Sequence, residues 1–426
     1  MRVRIGLLGY GNVGAPLAAL IERTRPEIAR RTGVDLEVRR IAVRDLDKTR
    51  SVPIPSGLGT TDAMGLCSGE EVDLVVEVMG AVDPAHDLLA AALSCGKPVV
   101  TANKELMATH GHDLLAAADE AGVDLLFEAA VGGGIPFIRP LRESLMGERI
   151  RRVMGIVNGT TNYILDQMTS HGTSYADALA EAQRLGYAEP DPTADVEGHD
   201  SAAKAAIIAS IAFGAAVTAA DVHCEGISGI TADDITDAAR LGFVVKLLAI
   251  TEPTDTGIGV RVHPAMVPID HPLASVHDSF NAVFVEGESV GDLMFYGRGA
   301  GSGPTSSALL GDIIDAAVNL SKGAHASVGT LNAVDITPID EVIGAHSIQI
   351  RVDDRPGVLA EVAGAFGAHN VSIRSMEQEG MGSDARLVFI THEAREADVR
   401  ATLDDLRRLD SVTRIGSVLR VIGSEE

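Results

Sequence analysis

Residues 2–14, RVRIGLLGYGNVG, run from a short apolar strand into a glycine turn, and residues 15–31, APLAALIERTRPEIARR, continue as a helix. A turn of the form Gly9-x-Gly11-x-x-Gly14 between a strand and a helix is the setting in which a dinucleotide pyrophosphate is held. The glycines allow a tight turn and let the backbone approach the phosphates at the helix N-terminus. Gly9, Tyr10, Gly11, Asn12, Val13 and Gly14 are therefore the candidate cofactor turn. The next strand, LEVRRIAV, ends at Arg44-Asp45. An arginine here suits a ribose 2′-phosphate and an acid suits the free 2′-hydroxyl, so NADP is favoured while NAD stays open.

Outward from this turn, strands alternate with helices. VDLVVEVMG, KPVVTAN and VDLLFEAAV read as strands; PAHDLLAAALSCG and KELMATHGHDLLAAADEAG read as helices. This alternation predicts an α/β fold with a doubly wound, Rossmann-type parallel sheet over residues 1–134. Residues 135–325 mix strands with alanine-rich helices and read as an α+β domain. A helix near 305–325 is expected to pack back on the first domain. A composition shift after Ser327–Pro338 leads into residues 346–426, whose strands and helices follow a βαββαβ order.

Composition limits what the chain can do. A net charge of −25 and 3% aromatic residues argue against nucleic-acid binding, which needs basic surfaces and stacking rings. Cys67, Cys95 and Cys224 form no CxxC pair, as expected of a reducing, cytoplasmic setting. No apolar run reaches the ~18 residues of a membrane span. The thirteen histidines show no metal-ligand spacing such as HExxH.

The chemistry concentrates in Ala182–Lys204, AQRLGYAEPDPTADVEGHDSAAK. Glu189, Asp191, Asp195, Glu197 and Asp200 crowd a turn-rich segment, and a helix then brings up Lys204, one of only six lysines. Asp200 and Lys204 are four residues apart, so a helix sets them on one face. A lysine among apolar neighbours is suited to proton transfer; the carboxylates suit a substrate ammonium. Thr101 and Lys104 stand at a strand end, where open α/β sheets bind ligands. Glu128 precedes a glycine-rich turn whose carbonyls would suit an oxygen-ligated cation. Asn158-Gly-Thr-Thr-Asn162 is a polar turn that could cap a helix or touch a nicotinamide. Gly297–Thr305, GRGAGSGPT, is a second glycine loop suited to a cofactor.

Together these motifs resemble homoserine dehydrogenase across nearly the whole chain. The resemblance is carried by Gly186-Tyr187-Ala188, Asp191-Pro192, Asp195-Val196, Gly198, Asp200 and Lys204, and by VVTANKELMA, FEAAVGGGIP, VNGTTNYIL and GAGSGPT. It is a resemblance to the monofunctional form. It implies NAD(P)H-dependent, reversible reduction of L-aspartate 4-semialdehyde to L-homoserine, on the route to threonine, methionine and isoleucine. It implies that Glu189, Asp195 and Asp200 bind the substrate, with Gly186 and Tyr187 beside them. Lys204 would donate the proton, Asp200 would orient Lys204, and Lys104 would contact the cofactor or share the proton work. Gly186, Gly301 and Gly303 would complete the cofactor site. A sodium ion would be held by Glu128 and the carbonyls of Val131, Gly133 and Ile135. The last segment, with Asp353–Leu359 and Asn370-Val-Ser-Ile, resembles an ACT domain, which implies an amino-acid effector, threonine being the expected one. The family resemblance also implies that residues 135–325 form the catalytic and oligomerisation domain, and that the protein is a homo-oligomer, a dimer or tetramer.

Rival readings fit less well. A 2-hydroxyacid dehydrogenase would carry its glycine turn mid-chain and use a catalytic histidine. An aspartate-semialdehyde dehydrogenase would need a cysteine nucleophile. A ligand sensor without activity would have no use for Lys104, Glu189, Asp200 and Lys204 together.

Overall fold

In a computed structural model of the chain, residues 1–353, 355–380 and 385–423 are described, and Asp354 of the ACT-like motif lies outside them. The fold has two compact units: residues 1–157, 202–222 and 280–334 form the first, and residues 158–201, 223–279 and 335 onward form the second.

The first unit is organised by a sheet whose strands Leu74–Glu77, Val99–Thr101 and Leu125–Leu126 are wholly buried, as a sheet covered on both faces requires. Six parallel strands lie in the order Gly59–Thr60, Asp35–Ala42, Arg2–Leu8, Leu74–Glu77, Val99–Thr101, Leu125–Leu126. The order reverses beside Arg2–Leu8, so the crevice of a doubly wound sheet opens at the carboxyl ends of Arg2–Leu8 and Leu74–Glu77. The helix Gly14–Thr32 packs on this sheet through Leu17, Ala18 and Ile21. The helix Ser302–Lys322 returns to the same core with Leu309, Ile313, Ala316 and Ala317. Strands Ile150–Ile156, Phe280–Gly287 and Gly291–Arg298 form an antiparallel set in this unit.

Three elements differ from the sequence expectation. The strand expected over VDLLFEAAV shrinks to Leu125–Leu126, because the chain turns into a 3₁₀ segment at Glu128–Ala130. Gly291–Arg298, partly read as loop, is a strand paired with Phe280–Gly287. The last long helix of this unit begins at Ser302, so Gly303 sits in its first turn.

In the second unit, the helices Gly159–His171 and Tyr175–Leu185 precede the short helix Thr193–Val196. Phe243–Pro253 and Ile258–Pro268 form an antiparallel hairpin with an unbroken register from Phe243↔Pro268 to Pro253↔Ile258. The C-terminal strands lie in the order Val412–Val421, Ile343–Val352, Ala385–Thr391, Ile373–Glu379. Helices Val358–Ala368 and Glu396–Leu406 complete the βαββαβ sandwich. Its core is Ile348, Ile350, Val362, Phe366, Leu387, Phe389, Val399 and Leu406. Its strand Val412–Val421 pairs in parallel with Ile258–Pro268 through Ala265↔Arg420 and Met266↔Val421. Among the described residues no helix is long and apolar enough to cross a membrane.

Candidate active site

Each glycine of the first turn has its own reason. Gly9 has φ 105°, a left-handed-side conformation, and a Cβ there would lie 2.9 Å from the Val78 carbonyl oxygen. A Cβ on Gly14 would lie 2.4 Å from the Gly9 carbonyl oxygen, so Gly14 lets the helix start tight against the turn. Gly11 has nothing within 4 Å, so nothing in the chain itself requires it to be small. A ligand approaching the backbone would. Tyr10 is buried, while Asn12 is exposed and Val13 half-buried at the helix entry.

Arg44 is exposed beyond the end of Asp35–Ala42. The Asp45 carboxylate folds back to accept the Asp47 N–H at 2.8 Å, and Arg50 donates to the Asp45 carbonyl at 2.5 Å. Lys48 and Arg50 line a surface pocket of this loop with Ile54 and Gly57.

A fully buried carboxylate, Glu77, ties two strand ends together. One oxygen accepts the N–H groups of Met79 (2.5 Å) and Gly80 (3.2 Å); the other accepts the Thr101 hydroxyl at 2.6 Å. The Thr101 Oγ1 accepts the Asn103 N–H at 3.0 Å. Asn103 caps the helix Lys104–Ala121 by accepting the Leu106 N–H, and donates to the Ala81 carbonyl at 2.8 Å. Such a cap stabilises a helix by about 1 kcal/mol. Lys104 thus enters as the first residue of a helix whose start is fixed by hydrogen bonds. Its Nζ lies 3.7 Å from a Glu105 carboxylate oxygen.

The Glu128 side chain is buried and accepts three backbone N–H groups, from Phe137, Ile138 (2.8 Å) and Arg139 (2.8 Å). Its own N–H donates to Asp312 at 2.8 Å. Burial pushes the Asp312 carboxyl up to about 7, against the opposing pull of the Glu128 N–H and Arg139. Gly132 and Gly133 follow with φ 72° and 54°, and they turn the carbonyl-bearing segment Val131–Ile135. A Cβ on Gly133 would lie 2.3 Å from the Gly299 carbonyl oxygen, and one on Gly134 2.6 Å from the Pro304 Cβ. The two glycine-rich segments therefore meet backbone to backbone. Gly301, with φ 114°, is the N-cap of Ser302–Lys322.

In the second unit the acidic segment is folded rather than loose. Gly186, with φ 79°, stops the helix Tyr175–Leu185. The Tyr187 ring packs on Tyr163 at 5.0 Å, and its carbonyl accepts the Thr160 hydroxyl at 2.7 Å. Glu189 is exposed, and its carbonyl accepts from Gln183 at 3.1 Å. Asp191 turns inward on its own segment, accepting the Thr193 N–H and hydroxyl.

Asn158 is the centre that sequence reasoning did not place. Its Oδ1 caps Gly159–His171 by accepting the Thr161 N–H at 2.9 Å. Its Nδ2 donates to Asp195 at 2.7 Å and to Asp200 at 2.8 Å. One neutral amide thus holds two carboxylates together, an arrangement suited to a positive group. The signal was present in Asn158-Gly-Thr-Thr-Asn162, where both a cap and a ligand contact were open.

Asp200 and Lys204 lie on one helix, His199–Phe213. Lys204 is half-buried between buried Ala203 and Ala205, and its Nζ donates to the Val157 carbonyl at 2.7 Å. A further lysine, Lys246, is buried in the second unit and donates to Asn162 Oδ1 (3.1 Å) and the Val276 carbonyl (2.6 Å). Burial brings it down to about 8. Burial also pushes the Cys67 and Cys224 thiols up to about 11, so neither is an activated nucleophile.

The chain is similar to known proteins over nearly its whole length. The homoserine dehydrogenase family pattern matches residues 136–314, the NAD-binding domain of homoserine dehydrogenase matches 9–128, and the ACT domain matches 346–411. The chain is 51% identical over 425 residues to the homoserine dehydrogenase of Corynebacterium glutamicum, covering 98% of this chain and 95% of that one. The crystal structure of a homoserine dehydrogenase from Thiobacillus denitrificans is similar with a TM-score of 0.93 at 39% identity, covering 99% of this chain and 98% of that one. A hyperthermophilic archaeal homoserine dehydrogenase in complex with NADPH is similar with a TM-score of 0.65 at 28% identity, covering 75% of this chain and 98% of that one.

Proposed function

Because this chain belongs to the homoserine dehydrogenase family, with an NAD-binding, a catalytic and an ACT domain, we propose that it reduces L-aspartate 4-semialdehyde reversibly to L-homoserine. It is an oxidoreductase acting on a CH–OH group. We infer that the reaction serves the synthesis of threonine, methionine and isoleucine.

One observation carries the reading. Asn158 clamps Asp195 and Asp200 together, and Lys204 follows Asp200 by one helical turn. Glu189 takes the substrate's ammonium group, with Asp195 and Asp200 lining the same pocket beside Gly186 and Tyr187. Lys204 gives its proton to the aldehyde oxygen as negative charge develops there, and takes it back in the reverse direction. Asp200 orients Lys204, and Lys104 contacts the cofactor or shares the proton work.

The reduced nicotinamide, when bound, supplies the hydride. The turn Gly9–Gly14 holds its pyrophosphate, with Thr101, Gly186, Gly301 and Gly303 as further contacts. NADP is the favoured form: Arg44 is exposed at the second strand's end with Lys48 and Arg50 close in sequence, while Asp45 is engaged by the Asp47 N–H. A sodium ion would be held by Glu128 and the carbonyls of Val131, Gly133 and Ile135, with both Glu128 carboxylate oxygens also accepting backbone N–H groups. The C-terminal domain takes an amino-acid effector, with threonine first, and the chain assembles as a dimer or tetramer.

The test is a spectrophotometric assay of homoserine oxidation with NADP⁺ and with NAD⁺. Turnover with a lower KM for NADP⁺ is expected. No turnover with either nucleotide would overturn the assignment. Replacing sodium by potassium at constant ionic strength reads the cation site.

A further inference from the structure

We propose that Arg420, in the C-terminal domain, is a positioning residue for the carboxylates Asp195 and Asp200, acting through Glu225 and the main chain beside it. The proposal rests on the reading of those carboxylates as the substrate site.

The link is continuous and has little slack. Arg420 forks onto Glu225, with Nη1 and Nη2 each 2.9 Å from one carboxylate oxygen. The same guanidinium donates to Glu396 at 2.7 and 3.1 Å, and Glu396 meets His346 Nε2 at 3.0 Å. Glu225 also meets His223 Nε2 at 2.7 Å. Burial alone would raise both carboxyls, but hydrogen bonds from His346 and the Arg420 charge hold Glu396 down to about 2, and His223 and Arg420 hold Glu225 well below the usual range. The Glu225 and Glu396 carboxylates are therefore ionised at neutral pH.

From Glu225 the connection passes through backbone. The Glu225 N–H donates to the Val262 carbonyl at 2.8 Å. On one side of Glu225, the Cys224 thiol donates to the Glu197 carbonyl at 3.2 Å. On the other, the Ile227 N–H donates to the Val196 carbonyl at 2.8 Å. Neither chain can give way easily. A Cβ on Gly226 would lie 2.4 Å from the Val196 carbonyl oxygen, and one on Gly198 2.9 Å from the Cys224 sulfur. Val196–Gly198 is the turn between Asp195 and Asp200. A bidentate arginine–carboxylate pair is directional as well as strong, so a shift of Arg420 is passed to the turn that sets the two carboxylates. Nothing in the sequence links position 420 to position 197; the chain of contacts through Glu225 and Cys224 exists only in the folded chain.

The experiment uses the full-length chain and three variants, Glu225→Gln, Arg420→Lys and Glu396→Gln. Hydrogen exchange of the 195–200 amides is measured without ligand, and KM for homoserine and for the nucleotide are measured separately. In Glu225→Gln and Arg420→Lys the fork is lost, and exchange at 195–200 is expected to speed up. Homoserine KM is expected to rise about fivefold or more, with nucleotide KM within about twofold. Glu396→Gln leaves Arg420 both of its bonds to Glu225 and is expected to lower the melting midpoint without either change. Unaltered exchange at 195–200 in Glu225→Gln, or equal effects in all three variants, overturns the proposal. Faster exchange confined to the first two variants, in a chain that does not oxidise homoserine, would uphold the link and overturn the substrate assignment.

Discussion

Lys204 shows what a single side chain contributes. Its Nζ is anchored on the Val157 carbonyl at 2.7 Å, so its charge is held on the side of the carbonyl that precedes Asn158. Lys204→Ala is expected to lower kcat by roughly 10²–10⁴-fold while the far-ultraviolet circular dichroism spectrum is retained; near-normal turnover would remove the lysine from the mechanism. Asp312 makes a second, pH-linked prediction. Its folded pKa, raised to about 7 by burial, lies above that of the unfolded chain. Its stabilising contribution is therefore present at low pH and is lost as pH rises towards 7. Between pH 4 and 7 this term falls with a limiting slope of about 1.4 kcal/mol per pH unit. Unfolding of the wild type and of Asp312→Asn across that range should differ by that slope, and parallel curves would refute it. Lys204, Asp200 and Asp195 could be singled out in the sequence because lysine is scarce and the acids crowd together. The role of Asn158 could not, because a side-chain amide reaching both Asp195 and Asp200 depends on how three separate segments meet.

At the level of elements, the strand–turn–helix opening was legible because its pattern is local. A period-two apolar run, three glycines and a helical run leave one conformation that suits them all. The glycines nevertheless differ, and substitution separates them. Gly14→Ala places a Cβ 2.4 Å from a backbone oxygen and is expected to destabilise by about 1–3 kcal/mol. Gly11→Ala meets open space and is expected to change stability by less than about 0.5 kcal/mol. Both should weaken NADPH binding about tenfold or more, measured by fluorescence titration beside thermal melts. If Gly11→Ala binds the nucleotide normally, the turn is not the pyrophosphate site. Less legible was Leu125–Leu126, where an apolar run continues past the strand. The Glu128 carboxylate gathers three N–H groups from residues 137–139, and that non-local capture ends the strand.

For the whole molecule, the position of the C-terminal domain matters most. Its edge strand Val412–Val421 joins Ile258–Pro268, and a second set of ion pairs joins Arg240 to Glu377 and Glu379, and Asp237 to Arg386. A domain fastened at both places is placed to report on the catalytic part of its unit. Threonine is expected to raise the homoserine KM of the full-length enzyme by a factor of roughly 5–150, the usual span of coupling between sites. Initial rates with and without threonine, methionine and isoleucine decide this, and no response to any of them would leave the domain a structural module. Local sequence was enough for the doubly wound sheet, the βαββαβ sandwich, the first glycine turn and the acidic segment leading to Lys204. Each of these is written in local periodicity, glycine placement or residue crowding. It took the folded chain to bring Asn158 onto the two aspartates, Glu128 and Asp312 into one buried cluster, and Arg420 to Glu225. Those contacts join residues 37 to 195 positions apart, and the short-range preferences that make helices and strands carry no information about them.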